Sequence, residues 1–256
     1  MEDWELPELV QGAIVANRFL IERKMQTGGM GLIYRAIDLQ TNSPVAVKLM
    51  LRNGSEVEER RFVQEAQVLS KLRHPGIVSY IAHGSTGDGQ IYLAMAWLDG
   101  QTLSERLRQG PLTASESLLC IGTVATALQV AHQTGIIHRD LKPSNLFLRE
   151  NKLEQTTLLD FGIAKLTNEA NATGVKTRTS TVMGTPHFMS PEQCKGGKNV
   201  DEKSDVYAFG VLLFVMLTGR YPFDGDGVGD IMGKHMFEPP PTVKSVAPEI
   251  PAVVSQ

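Results

Sequence analysis

Cysteine is scarce: Cys120 and Cys194 are the only two in 256 residues, and they lie far apart. They support neither a disulfide framework nor a zinc site, and a reducing compartment is the simpler reading. Charge of one sign is also missing. Lys and Arg number 25 against 28 Asp and Glu, a net charge of −3, so the chain has no bulk basic footprint for nucleic acid. The N-terminus is acidic and has no basic stretch leading into an apolar core, so no signal peptide is expected. The longest apolar run, residues 206–217, is too short for a bilayer and reads as a buried helix. No segment repeats at a fixed period. The expectation is a cytoplasmic chain with no membrane segment and no nucleic-acid partner.

What is present is ordinary globular composition, 42% hydrophobic and 21% charged, in a length that suits one large domain or two lobes. One stretch stands out. Ile136-Ile137 leads into His138-Arg139-Asp140-Leu141-Lys142-Pro143-Ser144-Asn145, and Leu146-Phe147-Leu148 leads out. Polar groups set between two buried segments need partners once water is removed. Pro143 forbids a continuous helix, so the run reads as a loop pinned at both ends. Further on, Leu158-Leu159 leads into Asp160-Phe161-Gly162. Two loops, each offering an acid beside an apolar strand, suggest a site for a metal and a phosphate.

The first part of the chain is strand-rich. Residues 18–24 alternate, then Gln26-Thr27-Gly28-Gly29-Met30-Gly31 precede a second strand over residues 32–36. Glycines between two strands form a hairpin whose backbone can approach a ligand closely. A dinucleotide fold would need a helix after them, and here the pattern stays strand; a plain Gly-rich hairpin is the competing reading. Residues 44–50 make a third strand, whose apolar run is interrupted by Lys48. The spacing predicts a helix over residues 56–72 with Phe62, Leu69 and Leu72 on its buried stripe. Glu65 falls on that stripe, and a carboxylate there needs a cation, for which Lys48 is the nearest unexplained candidate. A structural ion pair would equally explain the two. Two more strands follow, near residues 77–82 and 91–95. A polar turn over residues 96–100 then reads as a hinge.

The second part is mainly helical. A long apolar helix over residues 115–133 is read as core, with Leu118, Leu119, Ile121, Val124 and Leu128 inward and His132 as a packing or capping residue. A polar stretch rich in threonine runs on to Met183 and reads as a mobile loop or a phosphorylation switch in which an added dianion pairs with Arg139. Asp205 opens the apolar helix, and the helix dipole is a sufficient explanation for it.

His-Arg-Asp-Leu-Lys-Pro-x-Asn followed by Asp-Phe-Gly is similar to the protein-kinase signature set. From about Phe19 onward the chain resembles the bacterial branch of the eukaryotic-like (Hanks-type) serine/threonine protein kinases, notably in Gly29-Met30-Gly31, Ser190-Pro191-Glu192-Gln193 and Leu217-Thr218-Gly219-Arg220. That likeness implies an α+β, bilobal fold: a small five-stranded antiparallel N-lobe with one helix, and a mainly helical C-lobe. It implies ATP and Mg²⁺ as cofactors. Lys48 would contact the α/β-phosphates and pair with Glu65. Asp140 would orient the substrate hydroxyl and accept its proton. Asn145 and Asp160 would hold Mg²⁺, Lys142 would steady the γ-phosphate, and Thr185 would support the same loop. The glycine loop from Met25 through Gln26, Thr27, Gly28, Gly29, Met30 and Gly31 would cover the nucleotide. Ile33, Ala46 and Phe147 would sandwich its adenine, with Met95 guarding the pocket and Ala96 and Leu98 on the hinge beside it. Tyr80, Leu69, Phe161 and His138 would stack as an internal column. Thr177 and Thr179 are the autophosphorylation candidates, reached in trans by self-association.

The implied layout is a lead-in over residues 1–17, an N-lobe over 18–95, a hinge over 96–100 and a C-lobe over 101–256. Gln26 stands where the family has a first glycine. The family also continues through further helices, so the C-lobe is expected to be incomplete, with apolar surface exposed near Phe214, Phe223 and Ile231. A longer, membrane-anchored protein carrying this part in the cytoplasm fits the same picture. The expected activity is transfer of the ATP γ-phosphate to Ser/Thr hydroxyls of proteins. A pseudokinase scaffold and a small-molecule phosphotransferase are the alternatives.

Overall fold

The computed structural model describes residues 9–28, 31–50, 56–161, 186–196 and 200–250. The chain divides into two compact units, one of residues 1–73 with 78–98, the other of residues 74–77 with 99–256.

The first unit is an antiparallel sheet with one helix. Its strands are β1 (Ile14–Val15), β2 (Phe19–Gly28), β3 (Gly31–Asp38), β4 (Ser43–Met50), β5 (Tyr80–Ser85) and β6 (Ile91–Ala96), in the order β1-β2-β3-β4-β6-β5. The sheet thus has six strands, not five. The added one comes from the lead-in, where Ile14 pairs with Leu20 and Val15 with Phe19. Two residues are too few to display a strand's alternation, so only pairing reveals it. β5 starts at Tyr80, later than the spacing predicts, because Ile77 bridges Leu158 in the second unit.

Alternation then decides the two faces of this sheet. Phe19, Ile21, Leu32, Tyr34, Ala36, Val45, Val47, Leu49, Tyr92 and Ala94 form one buried cluster. The other face carries Ile33, Ala46, Lys48 and Met95, as the β3–β4 and β4–β6 registers require. Gly31 is fixed sterically, since a Cβ there would collide with the Leu49 carbonyl oxygen. At the strand edge Asp38 is buried and grips Arg18 through two bonds, Nε–Oδ1 2.9 Å and Nη2–Oδ2 2.7 Å. That bidentate contact holds the Asp38 carboxyl down at about 2. Helix α1 (Glu56–Lys71) packs on β5, with Phe62, Glu65, Ala66 and Leu69 inward.

The second unit is mainly helical. A small sheet of β7 (Gly100–Thr102), β8 (Leu146–Arg149) and β9 (Thr156–Leu158) is ordered β7-β8-β9. The helices are α2 (Leu103–Leu107), α3 (Ala114–Gln133), α4 (Pro191–Cys194), α5 (Glu202–Thr218), α6 (Val228–Phe237) and α7 (Val243–Val246). Side-chain caps set the starts of all of these but α6. Thr102 and Thr113 close capping boxes with Glu105 and Glu116. Gly219, at φ 68, ends α5 in the left-handed region.

Helix α3 is long and apolar enough to cross a membrane by composition. It is nonetheless a packing helix, with Ser117, Cys120, Ile121, Val124, Ala127, Leu128 and Ala131 buried at helical spacing. Leu118 and Leu119 are not core: they are 61% and 52% exposed, because they sit a third to half a turn away from that stripe. Phe214, Phe223 and Ile231, expected at an exposed apolar surface, are all buried. Phe223 lies against the His235 ring at 4.9 Å.

Candidate active site

In the first unit the predicted ion pair is formed. Lys48 Nζ lies 3.0 and 3.3 Å from the two Glu65 carboxylate oxygens, and both residues are buried. Lys48 comes from β4 and Glu65 from the inward stripe of α1. The Phe62 ring, three residues earlier on that stripe, lies 5.8 Å from the ammonium. A pair so deeply desolvated holds each partner in one place, because either charge alone would be very unfavourable there. Ile33 pairs with Lys48, and Ala46 with Met95, so these four share the sheet face that bears the ammonium. The backbone of Met25, Gln26, Thr27 and Gly28 is the end of β2, running opposite Gly31, Leu32 and Ile33. Gly29 and Met30 lie outside the described residues. Ala96 closes β6, and Leu98 is the last residue of this unit.

In the second unit, residues 138–145 form a loop held mainly by hydrogen bonds to backbone. Arg139 adopts φ 64, a conformation a non-glycine residue keeps only when its surroundings enforce it. Asp205, fully buried near the start of α5, supplies that enforcement. Its Oδ2 accepts from His138 N–H and its Oδ1 from Arg139 N–H, both at 2.8 Å. His132 Nε2 meets the same carboxylate at 2.7 Å. A helix-dipole explanation of Asp205 is therefore insufficient. As for Glu65, a carboxylate on a buried helical face signals a need for partners, but the spacing does not say which ones.

Asp140 follows directly. Its Oδ2 is 2.7 Å from Lys142 Nζ and accepts from Asn145 Nδ2 at 3.1 Å, while Asn145 Nδ2 also donates to the Asp140 carbonyl at 2.8 Å. Asn145 ends a short 3₁₀ turn, Pro143–Asn145, started by the fixed φ of Pro143. Leu159 N–H donates to the Asn145 carbonyl at 2.8 Å, so the segment delivering Asp160 is tied to the residue delivering the Asn145 amide. Leu158 is held on its other side by the Gly76 carbonyl at 2.8 Å. His138 is wholly buried, its ring 4.8 Å from the Phe161 ring, and burial pushes its pKa down, so it is neutral. Phe147 is half-buried in β8, paired with Thr102 and Thr157. Gly162, Thr177, Thr179 and Thr185 lie outside the described residues.

The donor set suits a hard cation. Asn145 spends its Nδ2 on Asp140, which leaves the amide oxygen as the atom that could meet a metal, and Asp160 brings a carboxylate. Oxygen donors of this kind suit Mg²⁺, which takes few protein ligands and keeps water or phosphate in its other positions. Among the described residues no three His, Cys, Asp or Glu side chains cluster as an all-protein metal cage.

Ser190 begins α4 in a capping box with Gln193, and Gln193 Nε2 reaches across to the Arg139 carbonyl at 2.8 Å. Glu192 accepts from the Ser204 hydroxyl, which, with its backbone contacts, holds its carboxyl below the ordinary range against the raising effect of burial. The spacing of residues gave no sign of either long-range contact.

Comparison with known proteins agrees with this arrangement. The family described as "Protein kinase domain" matches residues 19–250. Serine/threonine-protein kinase pkn3 of Myxococcus xanthus is 39% identical over 236 residues, covering 90% of this chain and 43% of that protein. The probable serine/threonine-protein kinase PknB of Lactococcus lactis is 37% identical over 244 residues, 94% of this chain and 38% of that protein. Serine/threonine-protein kinase PrkC of Bacillus subtilis is 37% identical over 246 residues, 95% of this chain and 37% of that protein. The chain thus spans less than half the length of these relatives. It belongs to the protein kinase family.

Proposed function

We propose that this chain transfers the γ-phosphate of ATP to serine and threonine hydroxyls of proteins. The observation that carries the reading is the Asp140–Lys142–Asn145 constellation, a carboxylate, an ammonium and an amide within hydrogen-bond reach of one another on a loop of fixed backbone. Phosphoryl transfer asks a protein mainly for positioning and charge neutralisation. Asp140 orients the acceptor hydroxyl and takes its proton. Lys142 neutralises charge on the phosphoryl oxygens as they leave one oxygen for another. Lys48, held by Glu65, meets the α/β-phosphates. Asn145 and Asp160 would hold Mg²⁺, which when bound would neutralise charge on the phosphate oxygens. Ile33, Ala46 and Phe147 contact the adenine. The reading extends to activation by phosphorylation at Thr177 or Thr179 in trans, between two copies of the chain, in a cytoplasmic setting.

The test is incubation of the purified chain with labelled ATP, Mg²⁺ and a generic protein substrate, with Asp140→Asn as control. Label on protein Ser/Thr that vanishes in the variant supports the proposal. ATP binding without transfer would make the chain a scaffold, and label on a small molecule alone would make it a phosphotransferase of another class. Mass spectrometry after incubation locates any label at Thr177 and Thr179.

A further inference from the structure

The peptide joining Arg139 to Asp140 is gripped at both of its polar atoms. Its N–H donates to His138 Nδ1 at 3.3 Å, and its carbonyl accepts from Gln193 Nε2 at 2.8 Å. This is the peptide whose rotation would swing Asp140, since the ψ of Arg139 and the φ of Asp140 turn together when it flips. The first grip is local. The second comes from 54 residues away.

Gln193 holds on with an amide used at both ends. Its Oε1 accepts from the Ser190 N–H at 3.0 Å, and its own N–H faces Ser190 Oγ at 3.4 Å, which is the capping box of α4. A capping box needs only an acceptor oxygen at this position, so Glu and Gln serve it equally. The helix therefore has no use for the NH₂ group of Gln193, and that group is the one that meets the Arg139 carbonyl. A glutamate would keep the box and set a carboxylate oxygen against a carbonyl oxygen. The choice of amide over acid has its physical reason in the loop, not in α4.

We propose that Gln193 is a positioning residue that fixes the Arg139–Asp140 peptide, and through it the Asp140 carboxylate, for phosphoryl transfer. The inference rests on the function proposed above and extends it to a residue outside the reacting groups. Together with Asp205, which takes the Arg139 N–H, Gln193 makes the left-handed Arg139 a residue held from both flanks.

The experiment compares the 256-residue chain with Gln193→Glu and with Ser190→Ala. It reads steady-state transfer, thermal melting and hydrogen exchange at the Asp140 amide. Gln193→Glu is expected to lower kcat by about 10- to 100-fold, the scale on which small misplacements act. KM for ATP should stay within about twofold, the melting temperature should hold, and Asp140 exchange should quicken. Ser190→Ala, which weakens the cap but spares Nε2, should lower the melting temperature and leave kcat within about twofold. The proposal is overturned if Gln193→Glu keeps kcat within about twofold. It is equally overturned if both variants lose kcat in step with melting temperature. Should the unaltered chain transfer no phosphate, the function reading falls, and exchange decides alone: unchanged Asp140 exchange in Gln193→Glu ends the proposal, and faster exchange sustains the grip itself.

Discussion

The two units hold their functional side chains by different means. In the first, Lys48 stands on a regular strand and Glu65 on a regular helix, and one buried ion pair fixes both. In the second, Asp140 and Asn145 stand on irregular backbone, and the fixing groups are the side chains of Asp205 and Gln193 acting on backbone N–H and C=O. Regular elements satisfy their own backbone, so a single side-chain contact suffices to aim a residue. A loop has unpaired backbone groups that must be satisfied from elsewhere. Those same satisfying bonds then determine where its side chains point. Aim is set across 17 residues in the first unit and across 54 to 67 in the second.

Four experiments would break or sharpen that contrast. The largest effect is expected from Asp140→Asn, which should lower kcat by about 10²–10⁴-fold in a labelled-ATP assay while the melting temperature barely moves. The carboxylate is partly solvated, and an Asn side chain keeps an oxygen acceptor for the neighbouring Lys142 ammonium and Asn145 amide. Next, Lys48→Met leaves Glu65 buried without its main partner and should cost about 3–5 kcal/mol in urea unfolding. The double variant Lys48→Met, Glu65→Leu should regain most of that stability without regaining transfer. Recovery of activity would show that the pair is scaffold only. A smaller loss, about 1–3 kcal/mol, is expected for Asp205→Asn, which retains one acceptor oxygen and turns an NH₂ towards the other donor. Its kcat should fall further than its stability alone explains. If kcat held, the long-range aim of the second unit would be refuted.

The smallest effects come from acid, and they separate the units. In the second, burial pushes the His235 pKa from 6.5 down to about 4, with Tyr207 OH on its Nδ1 at 2.7 Å. The unfolded chain takes up that proton first, so stability should fall as pH drops from 6.5 to about 4. In the first, the Asp38 carboxyl is held at about 2 against an ordinary 3.8. Its contribution is fully present above 3.8 and is lost as pH falls towards 2. Residue-resolved hydrogen exchange should therefore show the α6 region loosening at pH 5 while β2 and β3 remain protected. His235→Phe should flatten the first change. Loosening of both regions together would contradict the assignment.

The same contrast governs what could be read from the chain without coordinates. The Lys48–Glu65 pair was legible because a helical period put a carboxylate on an apolar stripe, and helix α1 runs over Glu56–Lys71 as the spacing predicts. The 138–145 loop was legible as a motif and through its resemblance, not through any period. Its supports were not legible. Asp205 is 66 and 67 residues from the groups it binds, and Gln193 is 54 from its own. No local pattern encodes such partners. β1 leaves no signal because two residues carry no alternation, and Leu118 and Leu119 fall outside the core because an apolar run does not by itself mark its inward face.

The reach of Asp205 also sets an order of events during synthesis. His138 and Arg139 leave the ribosome well ahead of the carboxylate that must bind them, by 67 and 66 residues. At about 5–20 residues per second, that interval is roughly 3–13 s. For that time the nascent loop lacks the carboxylate that takes the Arg139 N–H in its left-handed turn. The chain therefore gains its chemistry late, only after α5 has emerged and docked, and a ribosome-bound chain stalled short of that helix should be inert.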